Sequence, residues 1–483
     1  MKNFVRCISD VHSLLPWVLS TAMVGIVTIA QPAVAGGSIS VDPRRSLVVT
    51  EQTILARFPF ERVLEQLVMQ SGVPWLTSLE LFHQWWDTQN SGPGLGLGPH
   101  CDNTVDAGTP VINDFPYTCR PAPAEGVQAT TNPFADPDNN PDAYLPVGLF
   151  NRFDLAPSDG SHCGEYRIVY AKRSGIANPL ARNLVIFEAA LLNPHPNQGL
   201  KGCKKIVAFW ARLTRMDAIN QRADELEDFY FDGIPGVPPV VHVYHYGGNA
   251  NGFGQVRTNQ FMQEAASSKV WNLREFKLRR TCSGRSCTAM QFIPVTDKSN
   301  PFGPLVSPTS THAKAPDFQT FFPTQVRDLA AMDLAGIGME VPDKFNTGQS
   351  LASGSTENNY VTLFGTDPNP LSTAIQDQLT AIGSSLTPDH VIRRAQALAC
   401  AGCHRLNNSM DIGGGLTWPP SLGFTHVSER DTETVDGQVR FVISDALVNA
   451  FLPHRKTIME NYLNDKLKKP KKPKDPIGRK RVH

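Results

Sequence analysis

The run Cys400-Ala401-Gly402-Cys403-His404 sets two thiols two residues apart, with an imidazole directly after the second. That spacing suits attachment of a c-type haem: the thiols form thioethers to the vinyl groups and the imidazole ligates the iron. Three other chemistries use parts of the pattern. A thioredoxin-like redox pair wants a βαβ context, whereas a helical stretch precedes this motif and a glycine-rich loop follows it. A zinc site wants a second pair of Cys or His at ligand spacing, and none follows. A plain disulfide between Cys400 and Cys403 leaves His404 without a part. One covalent haem, held by Cys400 and Cys403 with His404 as proximal ligand, uses all three groups.

Other constellations are weaker. Asp136-Pro137-Asp138-Asn139-Asn140-Pro141-Asp142 sets oxygen-bearing side chains at alternate positions, as calcium loops do. Pro141 stands where such a loop needs glycine and Val147 where it closes on an acid, so a polar turn cluster is preferred to calcium. His162-Cys163-Gly164-Glu165 and Val241-His242-Val243-Tyr244-His245 carry acid, base or metal-binding groups. Read as a strand, the second run sends His242 and His245 to opposite faces, away from a common metal. No catalytic role is assigned to either. Glycine-rich nucleotide fingerprints, G-x-S-x-G and H-E-x-x-H are absent from the sequence.

The elements that must position the motif belong to a chain of 483 residues, 41% hydrophobic, with 45 basic and 45 acidic side chains. Balanced charge gives no net field toward nucleic acid or an anionic membrane. Residues 1–35 read as a secretory signal: Lys2 and Arg6, then an apolar run over 14–30, then Ala33-Val34-Ala35 as a cleavage site. No later apolar run is long enough to span a bilayer. An exported protein, periplasmic or secreted, is expected. Six cysteines outside the signal and the motif then pair by proximity as Cys101–Cys119, Cys163–Cys203 and Cys282–Cys287, the last closing a hairpin between 271–278 and 289–295.

Helical periodicity predicts helices over 50–69 and 77–86, each opening on a Thr cap, and two consecutive helices over 204–230. Strands are predicted over 166–171, 183–190 and 240–246, besides the hairpin, and 91–142 reads as irregular loop with no sheet. Strands and helices interleave without strict alternation, which predicts an α+β fold over 36–370. The polar, glycine-rich stretch 343–369 is the expected boundary before a second domain over 371–465. From Lys466 the chain is a basic, proline-containing tail with a disordered composition.

The second domain resembles the monohaem class I cytochrome c family. The resemblance rests on the helix predicted to start at Thr387-Pro388 and run into Cys400-Ala401-Gly402-Cys403-His404, a following loop over 405–440, and a closing helix over 444–463. It implies a small all-α domain with Cys400 and Cys403 as thioether positions and His404 as proximal ligand. The family's distal Met has no counterpart just before the closing helix. Four residues remain for the sixth position: His426, ranked first, then Met410, His454 and Met459. Bis-His ligation implies a lower potential than His/Met. The expected function is transfer of single electrons to or from a redox partner protein; the alternatives are a haem-dependent oxidoreductase and a haem-based sensor.

Overall fold

The computed structural model describes residues 38–121, 124–262, 270–284, 286–352 and 356–465. The expected signal and the basic tail lie outside them. The centre of the fold is one antiparallel sheet. Its strands are β1 (Val48–Val49), β2 (Tyr144–Arg152), β3 (His162–Lys172), β4 (Asn183–Leu192), β5 (Gln255–Gln260), β6 (Trp271–Ser283) and β7 (Ser286–Val295), neighbours in that order. A short β8 (Ser350–Ala352) pairs with β6. The three disulfides join as the spacing suggests, and Cys282 and Cys287 face each other across the β6–β7 turn.

Alternate residues of the central strands face two different environments. Tyr166, Ile168 and Tyr170 of β3, Val185 and Phe187 of β4, and Phe276 and Leu278 of β6 are buried. They meet helices α1 (Phe60–Met69), α2 (Ser78–Asp87), α3 (Lys204–Leu213) and α4 (Ile219–Phe231). Ring contacts such as Tyr170 with Phe60 at 5.1 Å, Phe187 with Trp85 at 6.1 Å and Tyr166 with Trp210 at 5.8 Å fill that layer. The intervening residues are charged. Arg167 pairs across strands with Glu188, Glu188 with Gln255, and Arg257 with Glu275. Opposite charges at directly facing positions support the sheet while marking this face as polar.

Several local predictions hold. Thr77 and Glu80 form a capping box at the head of α2, and the 204–230 region is indeed two helices. The single helix predicted over 50–69 is broken instead, because Pro59 has no N–H to give and pushes Phe58 out of helical conformation. The strand predicted over 240–246 is a wide turn through Tyr244–Gly248, reversed where Gly247 takes a positive φ of 94°. Within the stretch predicted to lack sheet, Val105–Asp106, Thr109–Ile112 and Phe115–Pro116 form a small meander.

The expectation of a separate all-α domain at the C-terminal end is corrected by the structure. Helices α5 (Pro370–Ala381), α6 (Pro388–Leu398) and α7 (Leu452–Leu463) are present, but the loop expected over 405–440 holds a hairpin, β9 (Val427–Val435) with β10 (Gln438–Ile443). Asp436 and Gly437 take φ of 50° and 72° between paired Val435 and Gln438, the two-residue turn that Asp-Gly favours. This segment is sewn to the start of the chain. Phe441 N–H donates to the Thr50 carbonyl and Thr50 Oγ1 donates back to the Phe441 carbonyl, Val41 N–H donates to Glu460 at 2.8 Å, and Asn464 binds Ile39. Buried Leu452, Met459 and Tyr462 close the same core that the N-terminal residues enter. Residues 39–465 therefore belong to one compact unit, with a large main core and a small apolar cluster around Trp271 and Ala401. Among the described residues, no helix is long and apolar enough to cross a membrane.

Candidate functional site

Helix α6 delivers the motif. Thr387 caps it with His390 in a reciprocal pair, Pro388 occupies its first turn, and Ala399 turns to extended backbone to end it. Cys400 to Leu406 then wind through a wide turn in which Cys403 N–H bonds the Ala399 carbonyl and Asn407 N–H the Gly402 carbonyl. Gly402 is required there. A Cβ at that position would overlap the Gln396 carbonyl oxygen, so no side chain fits between the two cysteines on that side. Ala401 N–H donates to Ser350 Oγ at 3.0 Å, which ties the turn to β8.

His404 is oriented through a relay that starts in the sheet. Trp271 Nε1–H on β6 donates to Asn259 Oδ1 on β5 at 2.6 Å, and Asn259 Nδ2–H donates to the Phe424 carbonyl at 2.7 Å. The same carbonyl lies 3.0 Å from His404 Nδ1. A carbonyl only accepts, so Nδ1 carries the proton and Nε2 keeps its lone pair. Burial lowers the His404 pKa to about 4 despite that hydrogen bond, which keeps the ring neutral. The Trp271 ring lies against it with centroids 5.4 Å apart. A neutral imidazole with Nδ1 anchored and Nε2 free is how a ligating histidine is held.

Both thiols stay unpaired, whereas the other six described cysteines are bridged. Burial pushes the Cys403 thiol up to about 12 and Cys400 higher still. Reactive thiolate pairs show the opposite shift. His426 also reaches the cluster: Nδ1 meets Ser444 Oγ at 2.8 Å and Nε2 lies 3.4 Å from Cys403 Sγ. Its ring centroid is 4.7 Å from that of His404. Two imidazoles on opposite sides of one metal, each bonded at roughly 2 Å, stand about 6 Å apart, so these rings are not spaced for opposite sides of one metal in this arrangement. Met410, Met459 and His454 lie elsewhere, with Met410 beside Asn407, Met459 beside Asn151 and His454 4.0 Å from Asp333.

The motif opens onto a cleft of about 1110 Å³, its mouth included, between this turn and the charged face of the sheet. Apolar walls come from Val169, Ile186, Leu398 and Leu447. The rest is ionic. Glu165 lies 2.6 Å from Arg167, Arg167 3.0 Å from Glu188, and Arg257 2.9 Å from Glu275. Burial alone would raise the Glu165 pKa, but Arg167 and Lys298 hold it well below the usual carboxylate range.

The remaining sequence candidates are scattered. Asp136 accepts from Asn139, Asn140 donates to the Asn132 and Ala135 carbonyls, and Asp142 pairs with Lys172 at 2.7 Å. His162 accepts from Gly164 N–H, and Cys163 is in its disulfide. His242 and His245, expected on opposite faces, have rings 5.2 Å apart because their segment is a turn. Among the described residues, no group of three or more His, Cys, Asp or Glu is placed to hold a bare metal ion. The cleft's Arg152, Arg167, Arg257, Asn259 and Arg455, and Trp271 packed against His404, were not singled out from the sequence. Their available signal was charge at alternate positions inside strongly apolar strands, as in Glu165 and Arg167 or Glu275 and Lys277. Compared with protein-family models, with curated proteins and with solved structures, the chain has no significant match.

Proposed function

We propose that this chain is an exported redox protein carrying one haem on Cys400 and Cys403, with His404 as an axial ligand, that passes single electrons to or from a partner protein. The observation that carries the reading is convergence: two unpaired thiols and an imidazole with a free Nε2 meet at one cleft. The donor set suits a c-type haem, and the motif opens directly onto that cleft. When bound, the haem supplies an iron that cycles between ferric and ferrous. The chain's own part is to fix and tune. The Trp271–Asn259–Phe424 relay holds the His404 ring and its tautomer, while Trp271 and Phe424 shield it from water. Arg167 and Arg257 place cationic charge near His404, which favours the reduced form of a redox centre there. His426 is the candidate to hold the iron together with His404, and it would have to leave Cys403 Sγ to do so.

The test is expression in a host with haem-attachment machinery, followed by intact mass and a pyridine haemochrome spectrum. Covalent haem is expected, and its absence sinks the reading. A second reading, a haem-dependent oxidoreductase, is favoured by the extension of the cleft from the motif across the ionic sheet face. Carbon monoxide separates the two: a low-spin ferrous spectrum unchanged by the gas supports the carrier, and a bound-CO spectrum supports the enzyme.

A further inference from the structure

Arg455, on α7, lines the cleft with only 5% of its surface exposed. Among the described residues it makes no hydrogen bond. Its ion pair is with Asp154, 3.8 Å from Nε and beyond hydrogen-bond reach, and the Phe451 ring lies 5.8 Å from its guanidinium. Asp154 is already engaged by Arg152, itself 2% exposed, through contacts of 3.0, 3.2 and 2.9 Å. Two buried guanidinium groups thus share one carboxylate, with Arg167 committed to Glu165 and Glu188 next to them. A buried charge compensated by only a shared carboxylate is costly, and native chains rarely leave one without a reason.

The chain satisfies its other buried arginines differently. Arg394 is fully buried and donates to the carbonyls of Ile412, Leu329, Ala331 and Gly413. Among the described residues Arg455 has no such carbonyls, and it lines the cleft instead. Burial and the neighbouring Arg152 both disfavour its charge, so an anion arriving there relieves a repulsion already present. Planar, bidentate capture of a carboxylate or similar oxyanion is the chemistry a guanidinium does best.

We propose that Arg455 and Arg152 form an anion-binding site at the Cys403 end of the cleft, built to take a carboxylate or similar oxyanion. Two sources supply that chemistry: a carboxylate of the group attached at Cys400 and Cys403, or a small diffusible carboxylate admitted to the cleft. The first source rests on the reading of the preceding section; the site itself rests on Arg455.

The test titrates acetate into the full chain by calorimetry, with and without haem loaded, for wild type, Arg455→Gln and Arg455→Lys. The unloaded wild type is expected to bind acetate, about tenfold or more weaker in Arg455→Gln and largely retained in Arg455→Lys. The lysine variant, with thermal melts of all three proteins, separates loss of the charge from loss of the fold. Acetate binding that persists in the loaded chain identifies a diffusible anion. Acetate binding abolished by loading, with a reduction potential that falls in loaded Arg455→Gln, identifies the attached group's own carboxylate. No acetate binding in either form, with a potential unmoved by Arg455→Gln, overturns the proposal. If intact mass shows no haem, the preceding reading fails, while titration of the same unloaded chain still decides this one.

Discussion

The two faces of the central sheet are built from the same strands and differ in almost everything else. On β3, Tyr166, Ile168 and Tyr170 enter an aromatic layer under four helices, while Glu165 and Arg167, one residue out of step, enter a cleft facing the thiols. Burial is common to both faces, since β3 is buried nearly end to end. The difference is in how the burial is offset. Aromatic area removed from water stabilises one face, whereas the other trades desolvation against ion pairs and gains little net stability from them. Stability is thus concentrated on one side of the sheet and chemistry on the other, separated by the parity of residue number.

The largest expected effect falls wholly on the chemical side. Replacing Cys400 and Cys403 together by Ser should abolish covalent haem, seen as loss of the haem increment in intact mass. Thermal unfolding of the unloaded variant should stay close to that of the unloaded wild type, because the core stands on the other face. A collapse of the unloaded fold would break the division of labour. The mirror experiment is Trp210→Ala on α3, under Tyr166 and Phe229. Truncating that fully buried ring should cost about 3–5 kcal/mol in denaturant unfolding. The fraction that still folds should attach haem normally.

The comparison also shows which parts of the molecule could be read in advance. The aromatic face was partly legible: short apolar runs bounded by turn formers at β3 and β4, the helical spacing from Ile206 to Leu226 and three pairs of cysteines lead directly to observed elements. The motif was legible because Cys400, Cys403 and His404 are local in sequence. Its surroundings were not. Asn259, Trp271, Phe424 and Arg455 lie up to about two hundred residues apart and meet only through sheet order, which no local pattern encodes. The missed hairpin at β9 and β10 had a signal, Asp436-Gly437 between alternating runs, but the resemblance to a helical domain outweighed it. A family likeness carried by one motif extends no further than that motif.

A smaller effect tests the apolar side by pH. His245 sits in the turn beside Tyr246, whose ring meets Phe187, and burial with nearby His242 lowers its pKa to about 4. Unfolded, the same group takes a proton near pH 6.5. Between those values the unfolded state binds the extra proton, so stability should fall as pH drops from 6.5 toward 4, by about 3 kcal/mol. Urea unfolding of the unloaded chain at stepped pH measures it, and His245→Gln should remove the His245 share of that limb and leave the share of His404, whose pKa is lowered alike. An unchanged slope in the variant would assign the acid sensitivity to other groups.

The finest test asks whether the sheet reaches across the cleft to the site. Asn259 is the one side chain that joins Trp271 to the Phe424 carbonyl, and that carbonyl sets which His404 nitrogen is free. Asn259→Ala leaves the Trp271 Nε1–H unpaired and Phe424 without its anchor, at a cost of about 1–3 kcal/mol. Lost stability alone would fit a merely structural residue. A positioning role predicts more: in the loaded protein the reduction potential should move and the low-spin electron paramagnetic resonance signal should broaden, because the His404 ring is no longer held in one orientation. Asn259→Asp keeps an acceptor for Trp271 but turns carboxylate oxygens toward the Phe424 carbonyl, so it should disturb the spectrum while sparing more of the Trp271 contact. If both variants lose stability with the spectrum and the potential unchanged, the motif orients its own histidine and the sheet only supports it.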